Sequence, residues 1–450
     1  MPQRFESNPT DPAPLAQPLH FPFANRSAPN RFLKGATSEL YATWSPTDFS
    51  KRGIPTKELI NVYRRWGEGG TGVLLTGNVM VASDHLEAAG NTIIPADAGF
   101  EGERFERFAE LAKAAKQHGS LILAQVSHPG RQVEDRIQAN PVSASDVQLT
   151  KDFFGKKFAK PHPATKEEIK GLVDAFAHTA EYLDKAGFDG LELHGAHGYL
   201  LAQFLSETTN HRTDEYGGSI ANRARIIVEI AQAIRARVSP SFILGIKLNS
   251  AEFQEKGFQP EDSREVVKIL EANRFDFVEL SGGTYEDIGF GHKKESTRKR
   301  EAFFIEFADL ITPALKETKA YVTGGFQTVG AMVEALKTVD GVGLGRSLCQ
   351  EPRFVNDVLS GKVTGAIKPA FPEGDLSMSL LFAGTQIRMI GKDLEPFDAS
   401  DEKLVASFMQ DVGRWVQDLT ADVGMEKSGY PDKLSFVDVP YGGAVLSETV

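Results

Sequence analysis

Cysteine is almost missing from this chain: Cys349 is the single one among 450 residues. An intrachain disulfide is therefore impossible, and so is a set of thiolates for an iron-sulfur cluster or a structural zinc site. Such usage fits a reducing compartment. Positive charge is also short, since 50 Lys and Arg against 61 Asp and Glu leave a formal net charge of -11. No overall basic face is on offer to nucleic acid or to an anionic membrane surface. Long apolar runs are absent too: no stretch approaches the roughly 18 apolar residues of a membrane span. The N-terminal MPQRFESNPT has no apolar run behind a basic start, as a secretory signal would. These absences predict a cytoplasmic protein without a metal centre, a nucleic-acid partner or a membrane partner.

Glycine, by contrast, is plentiful at 42 residues, and 41% of the chain is hydrophobic, as in an ordinary soluble globular protein with many tight connections. Residues 1–29 hold seven prolines and little periodicity, which predicts an extended N-terminal arm that closes a barrel end. From Asn30 onward, short β-rich runs alternate with longer helical stretches. The predicted strands are Phe32–Ala36, Gly72–Thr76, Leu121–Val126, Gly190–His194, Ile243–Leu248, Phe275–Leu280, Ala320–Thr323 and Gly341–Leu344. One intervening helix is well marked, because Thr165 and Glu168 have capping-box spacing. Ile169, Leu172, Val173, Phe176, Ala180 and Leu183 then recur at helical intervals, and Gly187 ends the pattern. After about residue 362 the alternation stops. There Ser400 is expected to cap a helix whose stripe is Leu404, Val405, Phe408, Val412, Trp415, Val416 and Leu419.

Alternating units allow a closed barrel or an open doubly wound sheet. Eight strands favour an α/β fold of the (β/α)8 TIM-barrel type, which occupies roughly 250 residues and can exceed 400 with insertions. The expected organisation is an arm over 1–29, a barrel over 30–362 and a helical C-terminal extension over 363–450. That extension would pack on the barrel or on a second subunit of a homo-oligomer.

In such a barrel the active site lies at the C-terminal ends of the strands. The seventh strand leads into Thr323, Gly324, Gly325 and Phe326, and the eighth into Gly345 and Arg346. Bare glycines let phosphate oxygens approach backbone N–H groups, and Arg346 supplies a charged fork. The fourth strand leads into Glu192, Leu193, His194, Gly195, Ala196, His197, Gly198 and Tyr199. No Asp, Glu or Cys at a comparable strand end completes a metal ligand set with those imidazoles. They suit instead the holding of an oxyanion or carbonyl oxygen, with the phenol as proton donor. On the third strand, Gln125 can pair with a heterocycle through one donor and one acceptor. Lys247, on the fifth, can stabilise negative charge on a reduced ring. Read blandly, Gln125 is an interior polar residue and Lys247 half of an ion pair.

Together these residues resemble the old yellow enzyme family, over most of the span from Asn30 to about Pro352. The most specific stretch is GFDGLELHGAHGYLLAQFLSETTNHRTDEYGGSIANRARI, residues 187–226, supported by NRFLKGATSE, AQVSHPGR, TGGF and GLGRSL in that order. The resemblance is to a single-domain, fungal-like or bacterial-like member with a C-terminal extension. It implies non-covalent FMN, with its phosphate at Gly324, Gly325, Gly345 and Arg346. Gln125 would sit at the flavin pyrimidine edge and Lys247 by N1 and O2, where many members have arginine. Ser38 falls where the family carries threonine or cysteine to contact O4. Ala36 and Thr37 line the adjacent backbone, Ala36 replacing a proline found in many members, and Asn78 is counted among the cofactor contacts. His194 and His197 match the pair that grips the substrate carbonyl, and Tyr199 the residue that protonates the α-carbon. The implied activity is ping-pong reduction of the activated C=C bond of an enone or enal by NAD(P)H, an ene reductase reaction.

A flavin-free barrel lyase or isomerase acting on a phosphorylated substrate is the rival reading. It would use the same phosphate loops, with Lys247 as a Schiff-base nucleophile, but leaves His194, His197, Gln125 and Ser38 unexplained. A retaining glycosidase needs two carboxyl groups about 5 Å apart, and the run Tyr321–Gly325 of the seventh strand offers Glu192 no partner. Dienoyl-CoA reductase-type relatives need a cysteine cluster and a second nucleotide-binding domain, and this sequence has neither. The basic run HKKESTRKR, residues 292–300, reads as a solvated charge run or as a contact for an NADPH 2′-phosphate.

Overall fold

The structure, a computed structural model, describes residues 2–151, 155–252, 257–282, 305–372 and 375–442. The basic run at 292–300 lies outside them. Eight parallel strands form a closed ring: β1 (Phe32–Lys34), β2 (Val73–Met80), β3 (Leu121–Ser127), β4 (Gly190–Gly195), β5 (Ile243–Ala251), β6 (Phe277–Gly282), β7 (Lys319–Thr323) and β8 (Gly341–Leu344). β1 pairs with β2 on one side and β8 on the other, which closes the barrel. All eight expected strands are present, the eighth with the expected ends and the others with shifted ones. β1 stops at Lys34, although the Gly35 N–H still bonds the Leu344 carbonyl of β8 at 2.8 Å. β6 starts at Phe277, because the N–H of Phe275 still bonds the carbonyl of Leu270 in the preceding turn.

The strands are apolar on both faces because the barrel interior covers one and helices the other. Among these helices are α1 (Lys57–Glu68), α2 (Gly102–Ala115), α3 (Lys166–Lys185), α4 (Arg225–Arg235), α5 (Pro260–Ala272) and α6 (Val329–Ala335). α3 begins with the predicted capping box of Thr165 and Glu168. Gly187 follows its last turn with a φ of 88°, a left-handed conformation that favours glycine. At the opposite end from the active-site mouth, a hairpin of Leu19–Phe21 and Arg26–Ala28 buries Leu19, Phe21 and Ala28 against Leu33, Val73 and Phe277. Those are early strand positions, so the hairpin plugs the bottom of the barrel.

Beyond the barrel, α7 (Arg346–Gln350) and α8 (Leu376–Gly391) pack together, and α8 also packs on α1. Trp66 of α1, fully buried, donates from Nε1 to the Leu348 carbonyl at 2.7 Å. A last long helix, α9 (Glu402–Thr420), packs Phe408 edge-on to Phe382 at 4.4 Å and tilted against Phe397 at 5.2 Å between ring centroids. Its cap is Asp401, not Ser400: the Asp401 carboxylate accepts from the N–H groups of Lys403 and Leu404. Those donors sit two and three residues into the helix counted from Asp401. The Ser400 hydroxyl accepts instead from the Gln3 N–H at 2.9 Å. The stripe of α9 is also shorter than expected: Phe408 and Val412 are buried, whereas Val416 and Leu419 are 46% and 39% exposed. Among the described residues no helix is long and apolar enough to cross a membrane.

Candidate active site

The site is built where the strands end. After β7, Gly324 and Gly325 have φ of 138° and 84°, backbone that only glycine adopts without strain. Gly343, near the end of β8, admits no side chain: a Cβ there would lie 1.6 Å from the Thr323 hydroxyl oxygen. Gly324, Gly325, Gly345 and Arg346 line one cavity of about 320 Å³, together with Ala36, Thr37, His197 and Lys247. Its outer wall comes from segments that carry no motif: Phe5 of the arm, then Phe371, Leu380, Ala383 and Gln386 of the extension. The N- and C-terminal segments therefore complete the site sideways. Nothing in their composition announced it.

The turn after β4 brings together the histidines and the phenol. Tyr199 is 3% exposed and stacks on His194 at 4.2 Å and 23°, while His197 stands edge-on to His194 at 5.3 Å and 89°. His197 has a φ of 56°, an uncommon left-handed conformation for a non-glycine residue. Three contacts hold it there: its N–H donates to Asn249 Oδ1 at 3.2 Å, its carbonyl accepts from Gln132 Nε2 at 3.2 Å, and its Nε2 meets the Ser281 hydroxyl at 2.9 Å. Burial, then the positive charge of Lys247, takes the His197 imidazole down to about 3. Burial and then His197 and Lys247 hold His194 well below the ordinary range. Both rings are neutral at neutral pH.

Inside the barrel, below the mouth, lies a polar layer. Gln125 Nε2 donates to Glu192 Oε1 at 2.7 Å, and the Lys247 ammonium is ion-paired with the Glu279 carboxylate. Burial, reinforced by the negative charge of Glu279, pushes the Glu192 carboxyl well above its usual range. Burial acts on Glu279 in the same sense, but Lys247 overrides it and holds that carboxyl low. The partner that Glu192 lacks on the seventh strand is thus supplied by the sixth. Their side chains come within hydrogen-bonding reach of each other.

At the mouth the Ser38 hydroxyl donates to the Glu87 carboxylate at 2.7 Å, and Asn78 Nδ2 donates to the same carboxylate at 2.7 Å and to the Tyr199 oxygen at 3.4 Å. The Ser38 carbonyl accepts from Tyr430 of the extension at 3.0 Å. Glu87, Glu279 and Ser281 escaped the sequence reading. For Glu279 a signal existed: FVELSG places a carboxylate at the same strand depth as the lysine of GIKLN. Glu87 sits on a loop and had none.

Residues 30–364 match the family model described as the NADH:flavin oxidoreductase / NADH oxidase family. The chain is 50% identical over 409 residues to NADH-dependent flavin oxidoreductase nadA of Aspergillus parasiticus, a match covering 90% of this chain and 92% of that protein. It is 33% identical over 374 residues to NADH-dependent flavin oxidoreductase iliE of Neonectria sp., covering 78% of this chain and 48% of that larger protein. Among solved structures, morphinone reductase in complex with tetrahydroNAD superposes with a TM-score of 0.63 at 20% identity, covering 79% of this chain and 93% of that one. At that identity the likeness is one of fold.

Proposed function

We propose that this chain, which belongs to the NADH:flavin oxidoreductase / NADH oxidase family, the old yellow enzymes, reduces the activated C=C bond of α,β-unsaturated carbonyl compounds using FMN. The observation that carries the reading is one cavity lined both by the bare glycines with Arg346 and by His197 with Lys247. The residues present fit the cofactor: a cationic rim and unobstructed backbone for a phosphate, an amide and an ammonium for a polar ring edge. NADH as the donor is supported by the name of the Aspergillus parasiticus relative.

Bound FMN would supply the hydride-carrying chemistry. The chain supplies orientation, polarisation and a proton. As neutral imidazoles, His194 and His197 each have one N–H to give, and two donors converging on a carbonyl oxygen stabilise charge as it develops there. A Ser281 hydroxyl donating to Nε2 of His197 would leave the ring proton on Nδ1. Tyr199 delivers a proton to the substrate α-carbon, held by stacking on His194 and by the Asn78 amide at its oxygen. Lys247 faces negative charge gathering on the ring edge. The lyase reading needs Lys247 free as a nucleophile, and its side-chain nitrogen is engaged by the Glu279 carboxylate.

The protein is expected to purify yellow and to release intact FMN on denaturation. Loss of a hydrogen bond between charged groups costs about 1.5–3 kcal/mol, so Arg346→Ala should raise the Kd for FMN about 10- to 100-fold in a fluorescence titration of the apoprotein. A colourless protein that FMN cannot reconstitute would sink the proposal.

A further inference from the structure

The polar layer beneath the mouth holds two carboxyl groups where charge balance allows only one negative charge to be met. Gln125 and Glu192 are cross-strand partners between β3 and β4, and Lys247 and Glu279 are partners between β5 and β6. Each carboxyl uses one oxygen on its own partner, Glu192 on Gln125 and Glu279 on Lys247. The second oxygens, Glu192 Oε2 and Glu279 Oε2, are buried and meet no donor among the described residues. Yet the two side chains are within hydrogen-bonding contact of each other. Ionised carboxylates only accept hydrogen bonds, so this contact needs a proton between them. Both ionised, unbridged and dry, the pair would be costly.

We infer that Glu192 and Glu279 share one proton, so that Gln125, Glu192, Glu279 and Lys247 form one neutral belt across the barrel beneath the mouth. The belt's function rests on the reading of the cavity as an FMN site: it sets how much of the Lys247 charge is available to the cofactor. Glu192 and Glu279 are in this sense positioning residues, acting through Gln125 and Lys247. The other titratable groups facing the pair leave this assignment intact. Lys34, fully buried on β1, acts on Glu279 but more strongly on Glu39, and its Nζ donates to the Thr37 hydroxyl and the Leu75 carbonyl, 4.1 Å from the Trp66 ring centroid. His194 and His197, beyond Lys247 toward the mouth, are neutral. Thr323 on β7 adds only a hydroxyl.

Two measurements decide it. In infrared difference spectra of the full chain at pH 8, with and without added FMN, wild type minus Glu192→Gln should contain the carbonyl stretch of a protonated carboxylic acid. In Glu279→Gln the same band should persist but be displaced, because Glu192 keeps its proton and loses the carboxylate that shared it. Absence of the band from wild type, or its unaltered persistence in both variants, overturns the shared proton. Midpoint potentials are the second arm. Glu279→Gln strips the ammonium of its counter-charge, so the ratio of FMN affinities, reduced over oxidised, should rise at least tenfold. That is a shift of about +30 mV for a two-electron couple. A merely structural role would weaken both redox forms together, and an unchanged or lowered potential overturns the assignment to the cofactor. If the wild-type chain takes up no flavin, the proposed function falls, and the infrared arm still decides whether the proton is shared.

Discussion

Tyr199→Phe is expected to keep its FMN and to be reduced by NADH at a near-normal rate, while its reoxidation by an enone such as cyclohexenone slows about 10²- to 10⁴-fold, the usual worth of one positioned general acid. The asymmetry follows from what the phenol is asked to do. Hydride arriving from a nicotinamide needs no proton placed on carbon, whereas saturating a C=C bond needs one at the α-carbon. The ring of Tyr199 stays in place without its hydroxyl, because stacking on His194 at 4.2 Å is a ring contact. What phenylalanine removes is the proton and the oxygen that Asn78 approaches at 3.4 Å. Anaerobic stopped flow separates the two halves, and molecular oxygen serves as a control acceptor that takes no proton on carbon from this residue. Equal losses in both halves would make the phenol structural. No loss in either would move the proton source elsewhere and remove the central step of the mechanism.

The barrel was legible because its strands are short apolar runs separated by marked helices, and parallel strands covered on both faces must read that way. Position at the mouth was legible because a β/α barrel gathers its strand ends at one face, and His194, His197, Tyr199, Gly324 and Arg346 do lie at or just after strand ends. Partnerships across strands were harder to read. Lys247 was placed on the right strand, but its counter-ion Glu279 lies 32 residues away, and only strand register brings them face to face. Ser38 was expected to reach the cofactor, and its hydroxyl is engaged by Glu87, a loop residue that no periodicity locates.

The extension makes the same point on a larger scale. Its helices could be read, although the cap of α9 was placed one residue early. Its destination could not. An amphipathic stripe says that a face is covered and not by what. Here Phe371, Leu380, Ala383 and Gln386 stand against the glycine loops, and Tyr430 reaches the Ser38 carbonyl. A segment without a motif thus borders both ends of the proposed cofactor site.

The neutral histidine pair ties the chemistry to stability, and its signature is expected in acid. An unfolded histidine has a pKa of about 6.5, whereas in the folded chain the His197 imidazole lies at about 3 and that of His194 well below the ordinary range. Both folded values are depressed, so above pH 6.5 the rings are neutral in either state and the fold keeps its full stability. As the pH falls below 6.5 the unfolded chain takes up protons that the folded chain refuses, and stability drops until the folded values are reached. Each ring contributes a slope of about 1.4 kcal/mol per pH unit within that window, so the pair contributes about 2.7. His128, also buried and also depressed, adds to the total but is common to wild type and variant. The double variant His194→Asn, His197→Asn keeps polar side chains at both positions and removes both titrations. Urea unfolding followed from pH 7.5 to 4.5 should therefore give wild type a steeper loss of stability than the variant, whatever the offset between them at pH 7.5. Between the unfolded and folded values the two curves should diverge, by up to about 2.7 kcal/mol per pH unit where both rings contribute. Parallel curves would mean that the folded pair takes up protons as it does in the unfolded chain, and the neutral donors assigned to the substrate oxygen would then be imidazolium groups in mild acid.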